Sequence, residues 1–190
     1  MAKDTKQILL NSFLELLGKK DITQITETDL ANLSGITRFT IRNNFGKNFA
    51  IAIIDFIYKK IADTILEKLS AFDPHDMTAE IFADLILPVV WKYQGPIKIL
   101  FKANAWRMGD DGIFLPFYKW AEPFFQEQYE RQKKELTQLN AYDLYSIWVQ
   151  QLILYLFTWL SKPVPEEPRI FKKTLLHLAN NSLMTLVGKK

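Results

Sequence analysis

Apolar residues along this chain recur at spacings of three and four, while runs of alternating β-branched residues are nearly absent. That rhythm gathers apolar side chains on one stripe of an α-helix and would scatter them over both faces of a strand. It predicts an all-α protein. The first helix is expected over about residues 4–17, with Leu9, Phe13, Leu16 and Leu17 on one face and Gly18-Lys19-Lys20 as its stop. After a short loop, Thr26 stands where an N-cap belongs, and Glu27 and Asp29 suit the positive end of a second, short helix ending near Leu33. Longer helices are predicted over about residues 47–70, 76–93, 141–160 and 169–187, the second of them bent at Pro88. The stretch over about 113–136, interrupted by Pro116 and Pro123, reads as two pieces or one kinked helix. Gly95-Pro96 separates two helices, residues 108–112 form a turn, and Pro163, Pro165 and Pro168 stiffen a connector.

At 190 residues and 48% apolar composition the chain is long enough to bury one real core or two small ones. The absence of cysteine rules out disulfides, thiol nucleophiles and thiolate zinc sites, and two distant histidines leave little for an imidazole metal site. Neither Asp73-Pro74-His75-Asp76 nor Asp110-Asp111 makes a convincing metal or acid–base cluster: Asp73 with Pro74 suits a helix start, and the second pair sits between glycines. No enzyme, cofactor or metal centre is therefore expected. No apolar run reaches the roughly 18 residues that a membrane span needs, and the N-terminus lacks a signal-peptide pattern, so the expected location is the cytoplasm.

A net charge of +3 is small, but the positive charge is local. Between Arg38 and Lys60, the cations Arg38, Arg42, Lys47, Lys59 and Lys60 face only Asp55. The same region has the grammar of a helix-turn-helix. Ala31 is small where two helices must approach, Gly35 offers the positive φ of a tight turn, Ile36 plugs the angle, and Thr37 caps the next helix. That helix carries Arg38, Thr40, Arg42, Asn43 and Asn44, with Ile41 and Phe45 holding it down from the other side. Arginine reads guanine through two hydrogen bonds, asparagine reads adenine likewise, and threonine offers a hydroxyl and a methyl. Arg38 and Thr40 are the candidates for base edges; Thr26, Thr37, Arg42, Asn43, Asn44 and Lys47 complete the predicted DNA-binding set, chiefly through phosphates.

The pattern Ile25-Thr26, Asp29-Leu30-Ala31, Ser34-Gly35-Ile36-Thr37-Arg38, Thr40-Ile41, Phe45 and Lys47 resembles the DNA-binding domain of TetR-type regulators over about the first 60 residues. Two positions depart from that family, which commonly has an apolar residue where Glu27 stands and an aromatic one where Arg42 stands. The resemblance implies a three-helix DNA-binding domain over residues 1–48 and a larger helical domain for dimerisation and effector binding over 49–190. It implies a homodimeric regulator, a repressor in sign, on a near-palindromic DNA operator. A helical coactivator or ligand-binding module of the same ancestry that no longer reads DNA is the alternative.

Aromatic residues are dense in the C-terminal two thirds, and two readings fit them: core packing, or the wall of a site for a small hydrophobic or cationic effector. Trp106, Tyr118, Trp120, Tyr145 and Trp148 are the candidates for such a wall, with Asn104 as an orienting polar group. One short recognition helix needs a second copy to cover enough DNA. Ile147, Leu154, Leu175, Leu178 and Leu186 are the candidate dimer contacts, the alternative for each being burial within its own chain.

Overall fold

The computed structural model describes residues 2–105, 114–135 and 138–181, and within them every regular element is helical. In chain order these are α1 (Ala2–Leu17), α2 (Glu27–Ser34), α3 (Arg38–Phe45), α4 (Phe49–Leu69), α5 (Ala79–Lys92), α6 (Gln94–Lys102), α7 (Phe114–Gln132), α8 (Ala141–Leu160) and α9 (Pro168–Ala179). Short 3-10 turns, Ile22–Gln24 and Pro74–Asp76, precede α2 and α5. Among the described residues no helix is long and apolar enough to cross a membrane. The all-α expectation therefore holds for the described chain.

The chain divides into two compact units, one from Met1–Ile61 with the described part of Gly95–Ile113, the other from Ala62–Gln94 with the described part of Phe114–Lys190. In the first unit the apolar stripe of α1 (Leu9, Phe13, Leu17) is buried, as are Leu30 of α2, Ile41 and Phe45 of α3 and Ile53 and Ile57 of α4. Phe13 meets Phe49 edge-on at 6.4 Å and Phe45 meets Phe56 at 6.1 Å, while the Lys6 ammonium lies over both Phe45 and Phe56. Each such apolar side chain contributes roughly 1.5–3 kcal/mol on leaving water. The short α3, too brief to stand alone, is held by this burial.

In the second unit the largest buried side chain is Trp159, lying flat between Phe171 at 4.4 Å and Trp91 at 5.6 Å. Its indole N–H donates to the Glu166 carbonyl at 2.9 Å, so the polar edge of the ring is satisfied as well. A second cluster joins α7 to α8 through Ala121, Phe125, Ala141, Tyr145 and Val149.

Residues Phe114–Gln132 form one helix that runs through Pro123, the single-helix alternative of the two expected there, and α5 runs through Pro88 as one helix, as expected. One boundary differs from that expected. The predicted helix from residue 76 starts later, because Asp73 caps a separate 3-10 turn and Thr78 then caps α5. The last described helix closes at Asn180, and the expected continuation to residue 187 lies outside the described residues, as do the 108–112 turn, Trp106 and Leu186.

Candidate functional site

The ends of α2 and α3 that meet at the corner are fixed by short-range hydrogen bonds. Thr26 caps α2: its hydroxyl accepts from the Asp29 amide at 3.1 Å while the Asp29 carboxylate accepts from the Thr26 amide at 2.9 Å, a reciprocal capping box. Asp29 also receives the Lys20 ammonium at 2.7 Å. These donors, led by Lys20, hold its carboxyl down at about 2. At the far end of α2, Gly35 has φ +70°, a left-handed conformation in which it closes the helix by donating to the Ala31 carbonyl. Thr37 then caps α3 by accepting from the Thr40 amide at 3.2 Å.

A second glycine, unremarked from sequence, ends α3. Gly46 sits at φ +73° and ψ −166°, a region that essentially only glycine occupies, and donates to the Arg42 carbonyl. The sequence signal was present: a glycine directly after the last apolar residue of a short helix is a stop.

Burial of Ile41 and Phe45 turns the remaining side chains of α3 outward: Arg38, Phe39, Arg42 and Asn43 are exposed, Thr40 and Asn44 half-buried. Lys47 is exposed in the link between α3 and α4. Thr40 is hydrogen-bonded to the Thr37 hydroxyl at 3.0 Å, and the Asn44 amide donates to the Thr40 carbonyl at 2.8 Å, so Asn44 is engaged with its own helix. Phe39 was not singled out from sequence, yet it is 74% exposed. The sequence signal was there: with Ile41 and Phe45 on the inward face, a period of 3.6 residues puts Phe39 on the outward one.

Glu27 and Arg42, the two departures from the TetR pattern, are partners. The Arg42 Nε donates to both Glu27 carboxylate oxygens at 2.9 Å, across fifteen residues of sequence. Glu27 has a side chain only 15% exposed, whereas that of Arg42 is 58% exposed. The bond to Arg42, with the nearby charge of Arg38, lowers the Glu27 carboxyl below its ordinary value, and Glu27 in turn raises Arg42. Arg38 and Arg42 thus share the α3 flank beside Glu27.

The second unit contains a cavity of about 330 Å³ lined by residues of α5, α7, α8 and α9 and by the Pro74–Asp76 turn. Its walls include Phe82, Trp120, Phe124, Trp148, Leu152 and Tyr155, and none of its lining residues is charged. Most of its polar groups are already engaged. The Trp120 indole donates to the Phe72 carbonyl at 3.3 Å, the Thr78 hydroxyl caps α5, and the Gln151 amide donates to the Tyr155 hydroxyl. Beside the wall, His75 meets Glu127 at 3.0 Å and packs its ring on Phe124, tying the turn to α7.

Of the predicted wall residues, Trp120 and Trp148 line this cavity. Tyr145 does not: it is buried in the α7–α8 core, where desolvation pushes its hydroxyl far up. Tyr118 packs on Tyr142 at 4.9 Å and on Tyr145 at 5.1 Å, again as part of that core rather than the lining, and its hydroxyl too is raised, first by burial and then by Glu122. Asn104 is exposed with φ +54° just after α6, in the other compact unit, and contributes nothing to the cavity. Phe82, Phe124 and Tyr155 were missed, because which rings of an aromatic-rich helix face a cavity depends on packing.

Among the candidate dimer contacts, Ile147 and Leu154 are 54% and 57% exposed, two turns apart on α8, and Phe157 lies exposed one turn further on. Leu178 is half-buried, whereas Leu175 is buried and lines the cavity, so its apolar surface is spent within the chain. No protein-family model matches the chain, and no curated protein is detectably similar to it.

Proposed function

We propose that this chain is a one-component transcription regulator of TetR type, a homodimeric repressor that reads a near-palindromic operator through a helix-turn-helix formed by α2, Gly35 and α3. The observation that carries this reading is α3 itself. It is an eight-residue helix capped at both ends, fixed from beneath by Ile41 and Phe45, and furnished outward with Arg38, Thr40, Arg42 and Asn43. A polar helix supported in this way fits a major groove, and its cations suit phosphates. Fluorescence anisotropy with promoter duplexes tests it: binding should weaken steeply with added salt as counterions are released. Absent or salt-insensitive binding would overturn the reading.

The cavity supports release by a small, uncharged, apolar effector. Of the two ligand classes expected from sequence, the cationic one fits less well, because a cation buried against these uncharged walls would lack a carboxylate to offset its lost hydration. Displacement of a neutral dye such as Nile red, followed by loss of operator binding with the displacing compound, is the expected result. The exposed α8 stripe of Ile147, Leu154 and Phe157 supports the dimer. Ile147→Glu with Leu154→Glu should yield monomers in sedimentation.

A second reading, a helical coactivator or ligand-binding module without operator recognition, is favoured by one observation: the Nε edge of Arg42 is committed to Glu27. Arg38→Ala with Thr40→Ala separates the two, since only a DNA reader loses duplex affinity.

A further inference from the structure

The outermost line of α3 is not the one expected to touch bases. With Ile41 and Phe45 buried, a helical turn of 3.6 residues puts Phe39 and Asn43 most nearly opposite the core, one above the other at a spacing of four. Arg38, four residues before Arg42, lies on the same side of the helix as Arg42, the partner of Glu27. Asn44 is tied back to Thr40. What the helix presents foremost is therefore a bare phenyl ring and a carboxamide, with the Thr40 side chain beside them.

A single exposed apolar residue is ordinary on a protein surface. Phe39 differs in its company. It is 74% exposed on a helix whose other outward side chains are all polar or cationic, two residues past a cap that fixes the helix start. An apolar group in that setting matches the one apolar feature of the major-groove edge, the 5-methyl of thymine. The adjacent carboxamide matches adenine, whose N7 accepts and whose N6 donates. Four helical residues rise about 6 Å, between one and two base-pair steps of duplex.

We propose that Phe39 and Asn43 are the principal base-reading residues of α3, and that they recognise A·T pairs one or two steps apart, Phe39 through a thymine methyl and Asn43 through an adenine edge. Arg38 and Arg42 then serve phosphates. This assignment rests on the DNA-binding reading above and gives it a sequence class.

The test is selection of duplexes from a random pool by the full chain, followed by single-atom changes in the winning sequence. Two A·T pairs within two steps should be enriched in each half-site. Replacing the thymine by uracil should weaken wild-type binding about threefold to fivefold, on the scale of one buried methyl per half-site. Phe39→Ala, a change at an exposed position, should bind thymine and uracil duplexes alike. Replacing the adenine by 7-deazaadenine should weaken the wild type about tenfold and leave Asn43→Ala unaffected. Equal wild-type binding of thymine and uracil duplexes, or undiminished discrimination in Phe39→Ala, overturns the assignment while leaving DNA binding intact. Failure to select or bind any duplex overturns the regulator reading, and this inference with it.

Discussion

The α2–α3 corner and the cavity-bearing unit both bury apolar side chains, but they fix their geometry by different means. The corner is a chain of short polar bonds: a capping box at Thr26 and Asp29, a cap at Thr37, two glycines of positive φ, and ion pairs from Lys20 and Arg42. The second unit relies on rings, with Trp159 stacked between Trp91 and Phe171 and Phe125 packed between Tyr145 and Trp148. Polar bonds at a surface are individually worth little but fix direction, which a helix offered to a groove requires. Rings supply large buried area and leave walls without charge, which a site for an apolar molecule requires.

The sharpest way to break this contrast is Trp159→Ala. Loss of the fully buried, doubly stacked ring and of its hydrogen bond to Glu166 should cost about 3–5 kcal/mol in urea unfolding, the usual range for emptying a large aromatic site. A loss under about 1 kcal/mol would mean that stacking does not hold this unit together.

The glycines come next. Gly46→Ala should destabilise by about 2–3 kcal/mol, because its φ and ψ lie where a side chain is scarcely tolerated. Gly35→Ala should cost about 1 kcal/mol, since an added methyl would meet no atom within 4 Å and only the left-handed backbone resists it. The inverse order would show that the turn before α3, not the one after it, fixes the helix.

An effect of similar size is expected for Thr37→Ala, about 1 kcal/mol from loss of the cap, and under the proposed function duplex affinity should fall as the first turn of α3 frays. Circular dichroism and anisotropy on the same preparation would separate fraying from loss of a direct contact. The smallest effect is a pH dependence. Asp29 titrates at about 2 in the fold against an ordinary 3.8, so it stabilises the fold fully above 3.8 and loses that contribution as pH falls towards 2. Asp29→Asn should flatten the acid limb of the stability curve in that window and leave the Trp159 stack unchanged; an unaltered limb would remove Asp29 from the account.

Much of the corner was legible in sequence because its bonds are local. Thr26 reaches three residues to Asp29, Thr37 three to Thr40, and Gly35 four back to Ala31, so spacing alone announces them. The bounds of α8 were legible from its long apolar run, whereas Asp73 opens a separate 3-10 turn and not the helix expected there. Glu27 and Arg42 looked like two unrelated anomalies, and only the folding of α3 against α2 made them partners. Likewise Trp120 and Trp148 reached the cavity while Tyr118 and Tyr145 went to the core, although all four looked alike in sequence.

The amino-acid order by itself determined that the described chain is helical, where α1, α2, α3 and α8 begin or end, and that positive charge gathers from Arg38 onward. Tertiary packing alone decided which side chains meet across the chain: that Glu27 pairs with Arg42, that Leu175 is consumed within its own chain, and that uncharged side chains line a hollow. The physical reason is range. Caps, turns and periodicity act over three or four residues, whereas burial is settled by neighbours that the chain brings from many residues away.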